Sequence, residues 1–417
     1  MNEFSYIFLF FLISSLLLKL WLNKRQMAHV FLHRNAVPKD FKGKIDLQAH
    51  QKAADYTIAK TRVSTLNMLI SSGLLIFLTL GGLINILVSL SQQFIANDLL
   101  AGTALILSVF ILSHLIELPL DIYQTFKIEQ KFGFNRTSIS QFIKDQLLQI
   151  TLMLLIGIPI VYGLLWVMGQ MGEYWWLYAW VLTIGFTFFM TWLVPTLIAP
   201  LFNKFTPLED DALKTRIQAL LKRCGFNSKG IFVMDGSRRS GHGNAYFTGI
   251  GNNKRIVFYD TLIDSLDADE VEAVLAHELG HFKCKHVSKQ MILSTFITLA
   301  GFALLGWLKQ QLWFFDGLYI AQINDAVALL LFILISPVFM TFLHPLSSKF
   351  QRKFEFEADA YASTIAKPTA LIQALVKLYR DNASTLTPDP LYSSFHHSHP
   401  PAAVRIGHLK SLAKANA

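Results

Sequence analysis

His277 and His281 stand four residues apart in the run His277-Glu278-Leu279-Gly280-His281. On a helix this spacing puts both imidazoles on one face, where together they can hold a single divalent cation such as Zn2+. Glu278 directly follows the first histidine, so its carboxylate aims at the space in front of the cation rather than at the cation itself. There it can take the proton of a water whose pKa the metal brings toward 7. The bland reading of such a pair is two satisfied helix histidines, and the rest of the chain weighs against it.

A catalytic zinc needs a third protein ligand and an open fourth position. His286 lies close by, but in the three-histidine pattern the third ligand would fall at 287, which is Val287, and the glycine expected at 284 is Cys284. A Cys284 thiolate would make a closed structural site. The stronger candidate is distant, in the run RKFEFEADAYA from Arg352 to Ala362. Glu355 and Asp359 are four apart there, so both can face the histidine helix, Glu355 as third ligand and Asp359 as the group that orients an imidazole. Glu357 sits about 200° around the helix from Glu355 and faces away.

These side chains need two helices. Segment 267–290 reads as the first, with Asp267 as N-cap, Asp269 and Glu270 in an acidic first turn, and apolar Val271, Val274 and Leu275 behind them. RKFEFEADAYA reads as the second, an amphipathic helix. Between them lies a long apolar stretch, and the composition of the whole chain agrees with it. Hydrophobic residues make up 53% of the 417 and charged residues only 16%, too few to cover a water-facing surface of that size. The fold class expected is therefore mainly α and integral to a membrane. The net charge of +9 fits basic loops on one side of a bilayer better than a nucleic-acid partner. Cys224 and Cys284 are no disulfide framework and read as ordinary thiols.

Seven stretches are long enough to cross, at 4–22, 66–90, 99–121, 146–168, 175–202, 291–313 and 325–346. The first lacks a basic n-region and a cleavage site and is followed by Lys24-Arg25, so it reads as a retained anchor. The loop behind it carries nine Lys and Arg from Lys24 to Arg62 against three aspartates, and Lys127, Lys131, Arg136 and Lys144 follow the third span. In contrast, 91–98, 169–174 and 314–325 hold no Lys or Arg, only Asp98, Glu173, Asp316 and Asp325. This alternation predicts an outside N-terminus, with 23–65, 203–290 and 347–417 on the cytoplasmic side. Lys309, near the end of the sixth span, is the one awkward charge. Glu117, Asp121 and Pro119 in the third span, and Pro195 and Pro200 in the fifth, mark either helix ends and kinks or a polar interior.

HELGH, the EFxAD element with Glu355 and Asp359, the NAYF segment 244–247, the SHP…R element with His399, Pro400 and Arg405, and IEQKFGFN at 128–135 together resemble the type 1 CAAX prenyl proteases. These are integral-membrane zinc endopeptidases of the gluzincin group, and the resemblance runs over nearly the whole chain. It implies seven helices around a water-filled internal chamber, closed at one end by a cytoplasmic α+β metalloprotease domain with one Zn2+ per chain. It implies a peptide or protein substrate, prenylated or not, whose tail enters the chamber, and a lipid bilayer around the protein.

The resemblance also gives roles to two regions. GIFVMDG, NAYFTGIG and KRIVFYDTLI, within 230–263, are β-prone runs that predict a small sheet. Asn244, Ala245 and Tyr246 would lie on an edge strand and pair with the substrate backbone, where ordinary sheet packing is the bland alternative. His399 would stand near the scissile carbonyl and stabilise the oxyanion, and Arg405 would hold the surrounding structure. His242, His396 and His397 receive no role. The chain then divides into a membrane part at 1–202, a segment with the sheet and HELGH helix at 203–290, two further spans in 291–346, and a segment at 347–417 that completes the metal site. A general protease of membrane proteins would use the same residues. A zinc-stabilised scaffold or transporter would have no need of Glu278.

Overall fold

The structure is a computed structural model that describes residues 1–226, 228–248 and 255–415. The end of the NAYFTGIG run, 249–251, and Lys254 of the next run lie outside the described residues. Among those described, seven helices are long and apolar enough to cross a membrane: Glu3–Leu32, Leu47–Leu78, Asp98–Glu129, Ile139–Gln170, Gly172–Phe202, His286–Leu308 and Asp325–Ile365. Short polar side chains start several of them. Asn2 caps the first and exchanges hydrogen bonds with Ser5, and Asp46, Asn97, Ser138 and Asn324 accept from the first-turn amides of the second, third, fourth and seventh.

Several helices differ in their bounds from the sequence expectation, three of them for a clear local reason. The second span is not 66–90. Its helix runs Leu47–Leu78 and stops at Gly81-Gly82, and a separate helix covers Leu83–Phe94. Gly82 has φ 74°, and a Cβ on Gly81 would meet the Phe77 carbonyl oxygen at 2.6 Å, so only glycine fits this corner. The helix expected over 267–290 breaks at Cys284 and Lys285. Lys285 adopts φ 56°, which ends the HELGH helix (Ala268–Lys283) and starts the sixth span in a new direction at His286. The last span is two helices, Asp325–Met340 and His344–Ile365, joined by a tight turn at Thr341–Leu343. The first is the apolar crossing, and the second carries EFEAD beyond it.

Several polar groups inside the spans, Glu117 among them, face a cavity. A space of about 510 Å3 is lined by Lys19, Asn23, Asn67, Ser71, Glu117 and His396. Ser71 donates to Glu117 at 2.9 Å. The third helix passes through Pro119, so Glu117 marks a polar interior rather than a helix end. Lys309 is not an orphan: its ammonium lies 2.7 Å from Asp325 and 4.9 Å from the centre of the Trp175 ring.

The remaining part is α+β. Strands β1 (Phe205–Pro207), β2 (Gly230–Met234), β3 (Ala245–Thr248) and β4 (Arg255–Tyr259) form one sheet in the order β1-β2-β4-β3, parallel only between β2 and β4. Ile231, Ile256 and Phe258 of the sheet join Val271, Leu275 and Leu279 of the HELGH helix in one apolar core. That core also takes Leu371 and Leu375 from helix Pro368–Asp381 and Ile406 and Leu409 from the C-terminal helix. The face of the HELGH helix that carries His277 and His281 is thereby fixed from behind.

Candidate metal centre

Asp267 caps the HELGH helix, and Glu270 returns the hydrogen bond to the Asp267 amide. Asp269 in the first turn and Glu272 in the second are clasped by Arg216, and Lys367 reaches Asp269 at 2.8 Å. One face then meets the EFEAD helix along its length. The two can approach closely because Gly280 opposes Ala358.

At this crossing, three donors converge. His277 Nε2 and His281 Nε2 are 3.2 Å apart, and the Glu355 carboxylate lies 3.5 Å from the first and 3.2 Å from the second. A tetrahedral zinc with bonds of about 2.0–2.1 Å holds its donors about 3.3 Å apart, so the spacing fits one ion. Two nitrogens and one carboxylate oxygen are also the donor set of an open catalytic site rather than a closed structural one. Glu278 is part-exposed beside His277 on the HELGH helix.

A carboxylate behind His277 sets its tautomer. Asp359 lies 2.8 Å from His277 Nδ1, so that nitrogen carries the proton and Nε2 keeps its lone pair for a cation. Arg405 in turn donates twice to Asp359, at 2.6 and 2.9 Å, and stands 3.4 Å from Glu355. Burial and the Arg405 charge oppose an imidazolium at His277, but Asp359 and Glu355 outweigh them and hold its pKa above the ordinary value. Arg405 stays charged because Asp359 and Glu355 more than offset its burial.

Glu357 does face away from the histidine pair, as its place on the helix implies, but it is not idle. It accepts from His286 Nε2 at 2.9 Å, and His286 Nδ1 lies 3.0 Å from His281 Nδ1. His286 therefore touches the back of His281, opposite the side on which the three donors meet. Cys284, His286 and Glu357 form a second close group of ligand-type atoms. The sequence reading missed these contacts because they depend on the backward turn at Lys285.

Of the other expected residues, Asn244 and His399 line a cavity of about 790 Å3 whose walls also include Lys60, His242, Tyr379 and His397. His399 is 64% exposed, and its Nδ1 reaches Glu355 at 2.8 Å, so it stands at the open side of the centre. β3 is an edge strand, with Asn244 just before it and Ala245 and Tyr246 on it. Asn244 and Tyr259 form a bonded pair, so Ala245 turns its amide away from β4, where the Asn244 side chain accepts from it at 2.8 Å.

His242 contacts Tyr56 and Glu129 and stacks on Phe134 at 4.2 Å, tying the loop before β3 to the second and third spans. His396 lies between this cavity and the membrane cavity, lining both, and burial lowers its pKa to about 4. Tyr379 also escaped the sequence reading. Burial, aided by the Glu355 charge, raises its phenol pKa against the opposing charge of Arg405, and no motif marks it.

Seven membrane helices above two crossed helices that present two imidazoles and a carboxylate define an integral-membrane metallopeptidase. Comparison with known proteins makes this specific. Residues 26–204 match the CAAX prenyl protease N-terminal family model of five membrane helices, and residues 207–413 match peptidase family M48. A CAAX prenyl protease 1 homolog of Arabidopsis thaliana is 33% identical over 95% of each chain. CAAX prenyl protease 1 of Saccharomyces cerevisiae is 39% identical over 71% of this chain and 69% of its own. The crystal structure of S. mikatae Ste24p superposes with a TM-score of 0.89 at 32% identity, covering 98% of this chain and 99% of that one. The chain belongs to peptidase family M48 and is a multi-pass membrane metalloendopeptidase.

Proposed function

We propose that this protein is a zinc endopeptidase that cuts near the C-terminus of CAAX-type, prenylated substrates, with His277, His281 and Glu355 as the metal ligands. The observation that carries the reading is the convergence of those three side chains at 3.2–3.5 Å. The substrate class is supported by the similarity to proteins named CAAX prenyl protease 1 over most of the chain.

Bound zinc would supply Lewis acidity toward water and the scissile carbonyl. The protein does the rest. The outer edge of β3 at Asn244, Ala245 and Tyr246 pairs with the substrate backbone and holds the scissile bond in register. Glu278 takes a proton from the attacking water and delivers it to the leaving amine. His399, on the open side of the centre, donates to the oxygen on which negative charge develops. Asp359 fixes the His277 tautomer, and Arg405 keeps Asp359 ionised and in place. The alternation of basic and acidic loops supports a cytoplasmic metal centre and C-terminus and an outside N-terminus.

The test is cleavage of matched tail peptides, prenylated and unprenylated, by the purified protein with and without chelator. Chelator-sensitive cleavage favouring the prenylated peptide is expected. Equal cleavage of both would point to a general membrane protease. Glu278→Gln should keep the metal and lose cleavage, whereas retained activity would remove Glu278 from its role.

A further inference from the structure

We infer that Glu357 and His286 form a directed hydrogen-bond chain that fixes the tautomer and orientation of His281, and so sets how tightly the centre holds its cation. The inference rests on the ligand role proposed above for His281.

Direction follows from the carboxylate at the far end. Glu357 can only accept, so His286 carries its proton on Nε2, 2.9 Å away. An imidazole whose one proton sits on Nε2 has an acceptor at Nδ1. The facing nitrogen, His281 Nδ1 at 3.0 Å, must therefore be the donor. With that proton on Nδ1, His281 Nε2 presents its lone pair to the space shared with His277 and Glu355. The reverse arrangement would set an unprotonated His286 Nε2 against a carboxylate and put a proton on His281 Nε2, where the cation binds.

The members of the chain are themselves held. The His286 ring stacks on Phe354 at 4.2 Å with an interplanar angle of 13°. Lys289 and Lys353 flank Glu357 at 3.7 and 3.8 Å. The two ligand histidines are thus supported differently. His277 meets its carboxylate directly, whereas His281 reaches one through a second imidazole that starts the sixth span.

The experiment uses the full-length protein in detergent micelles, stripped of metal and titrated with Zn2+ against a chromogenic chelator. His286→Phe keeps the flat ring over Phe354 and removes both nitrogens. Glu357→Ala removes the anchor, and Glu357→Gln retains an acceptor. The wild type should bind one Zn2+, with His286→Phe and Glu357→Ala each weakening it about 10- to 100-fold. Glu357→Gln should recover most of the loss. Because Glu357 acts through His286, the double variant should bind no more weakly than His286→Phe alone. In Co2+-loaded protein, the visible spectrum should shift in both single variants and return toward wild type in Glu357→Gln.

Unchanged affinity in both single variants would overturn the inference, as would additive losses in the double variant. So would a second Zn2+ equivalent that disappears in Cys284→Ser, because His286 would then be a ligand of that group. Failure of the ligand reading itself looks different: either the wild type takes up no Zn2+, or Glu355→Ala still binds it.

Discussion

Gly280 lies against Ala358 so closely that a Cβ on the glycine would sit 2.8 Å from the Ala358 Cα and 2.9 Å from its carbonyl oxygen. This contact sets the distance between the HELGH and EFEAD helices, and with it the distance from the two imidazoles to Glu355. The obstructing atoms are backbone and cannot swing aside. Gly280→Ala should therefore force the helices apart, at a cost of about 1–3 kcal/mol. The expected result is a lowered melting temperature with reduced metal content, measured on the same preparation. Full metal occupancy in a stable Gly280→Ala protein would show that the contact is not what spaces the ligands.

Asp359 and Arg405 form a buried pair at 2.6 Å. Asp359→Asn leaves the guanidinium without its counter-charge, a loss of about 3–5 kcal/mol for a broken buried pair. It also removes the carboxylate that orients His277. Both thermal stability and metal affinity should fall, whereas a surface pair such as Lys410 with Asp40 should change neither when broken.

Among the described residues, the outward amide of Ala245 is held only by its neighbour Asn244, at 2.8 Å. Ala245→Pro removes this amide and no bond to β4, which an edge strand tolerates. Steady-state kinetics should show a raised KM with metal content unchanged. An unaltered KM would argue against backbone pairing at this strand.

Asp389 caps helix Pro390–His396, accepting from the Leu391 and Tyr392 amides, and pairs with Arg25 of the first span at 2.9 Å. It is the anchor of the segment that leads to His399. Burial alone would raise the Asp389 pKa, but the Tyr392 amide and the Arg25 guanidinium outweigh it and hold the pKa below the ordinary value. The stabilisation is therefore full above the unfolded pKa of about 3.9 and is lost as pH falls through the lower folded value. Hydrogen exchange in 390–399 should accelerate as pH falls below about 4, after correction for the intrinsic rate. Asp389→Ala should give fast exchange already at neutral pH.

Much of this site was legible because helical spacing is local. His277, Glu278 and His281 are placed by the four-residue period alone, and Glu355 and Asp359 share a face by the same rule. What the period cannot give is where a helix bends. Lys285 in the left-handed region swings His286 back onto His281, and no residue type at 284–285 announces it, since neither is glycine. The stop at Gly81-Gly82 was in the sequence as two glycines, but the apolar run continues through Leu83 to Leu90 and masks it. The charge pair of Lys309 with Asp325 was hidden for another reason. Its members end one helix and begin another, and only their packing brings them within 2.7 Å.

The most direct measurement is zinc content and X-ray absorption of the purified wild type and Glu355→Ala proteins. One zinc per wild-type chain, bound by two imidazoles and one carboxylate with a non-protein fourth neighbour, is predicted, and Glu355→Ala should lose the metal. Zinc held with an unchanged spectrum in Glu355→Ala, or by four protein side chains in the wild type, would contradict the account.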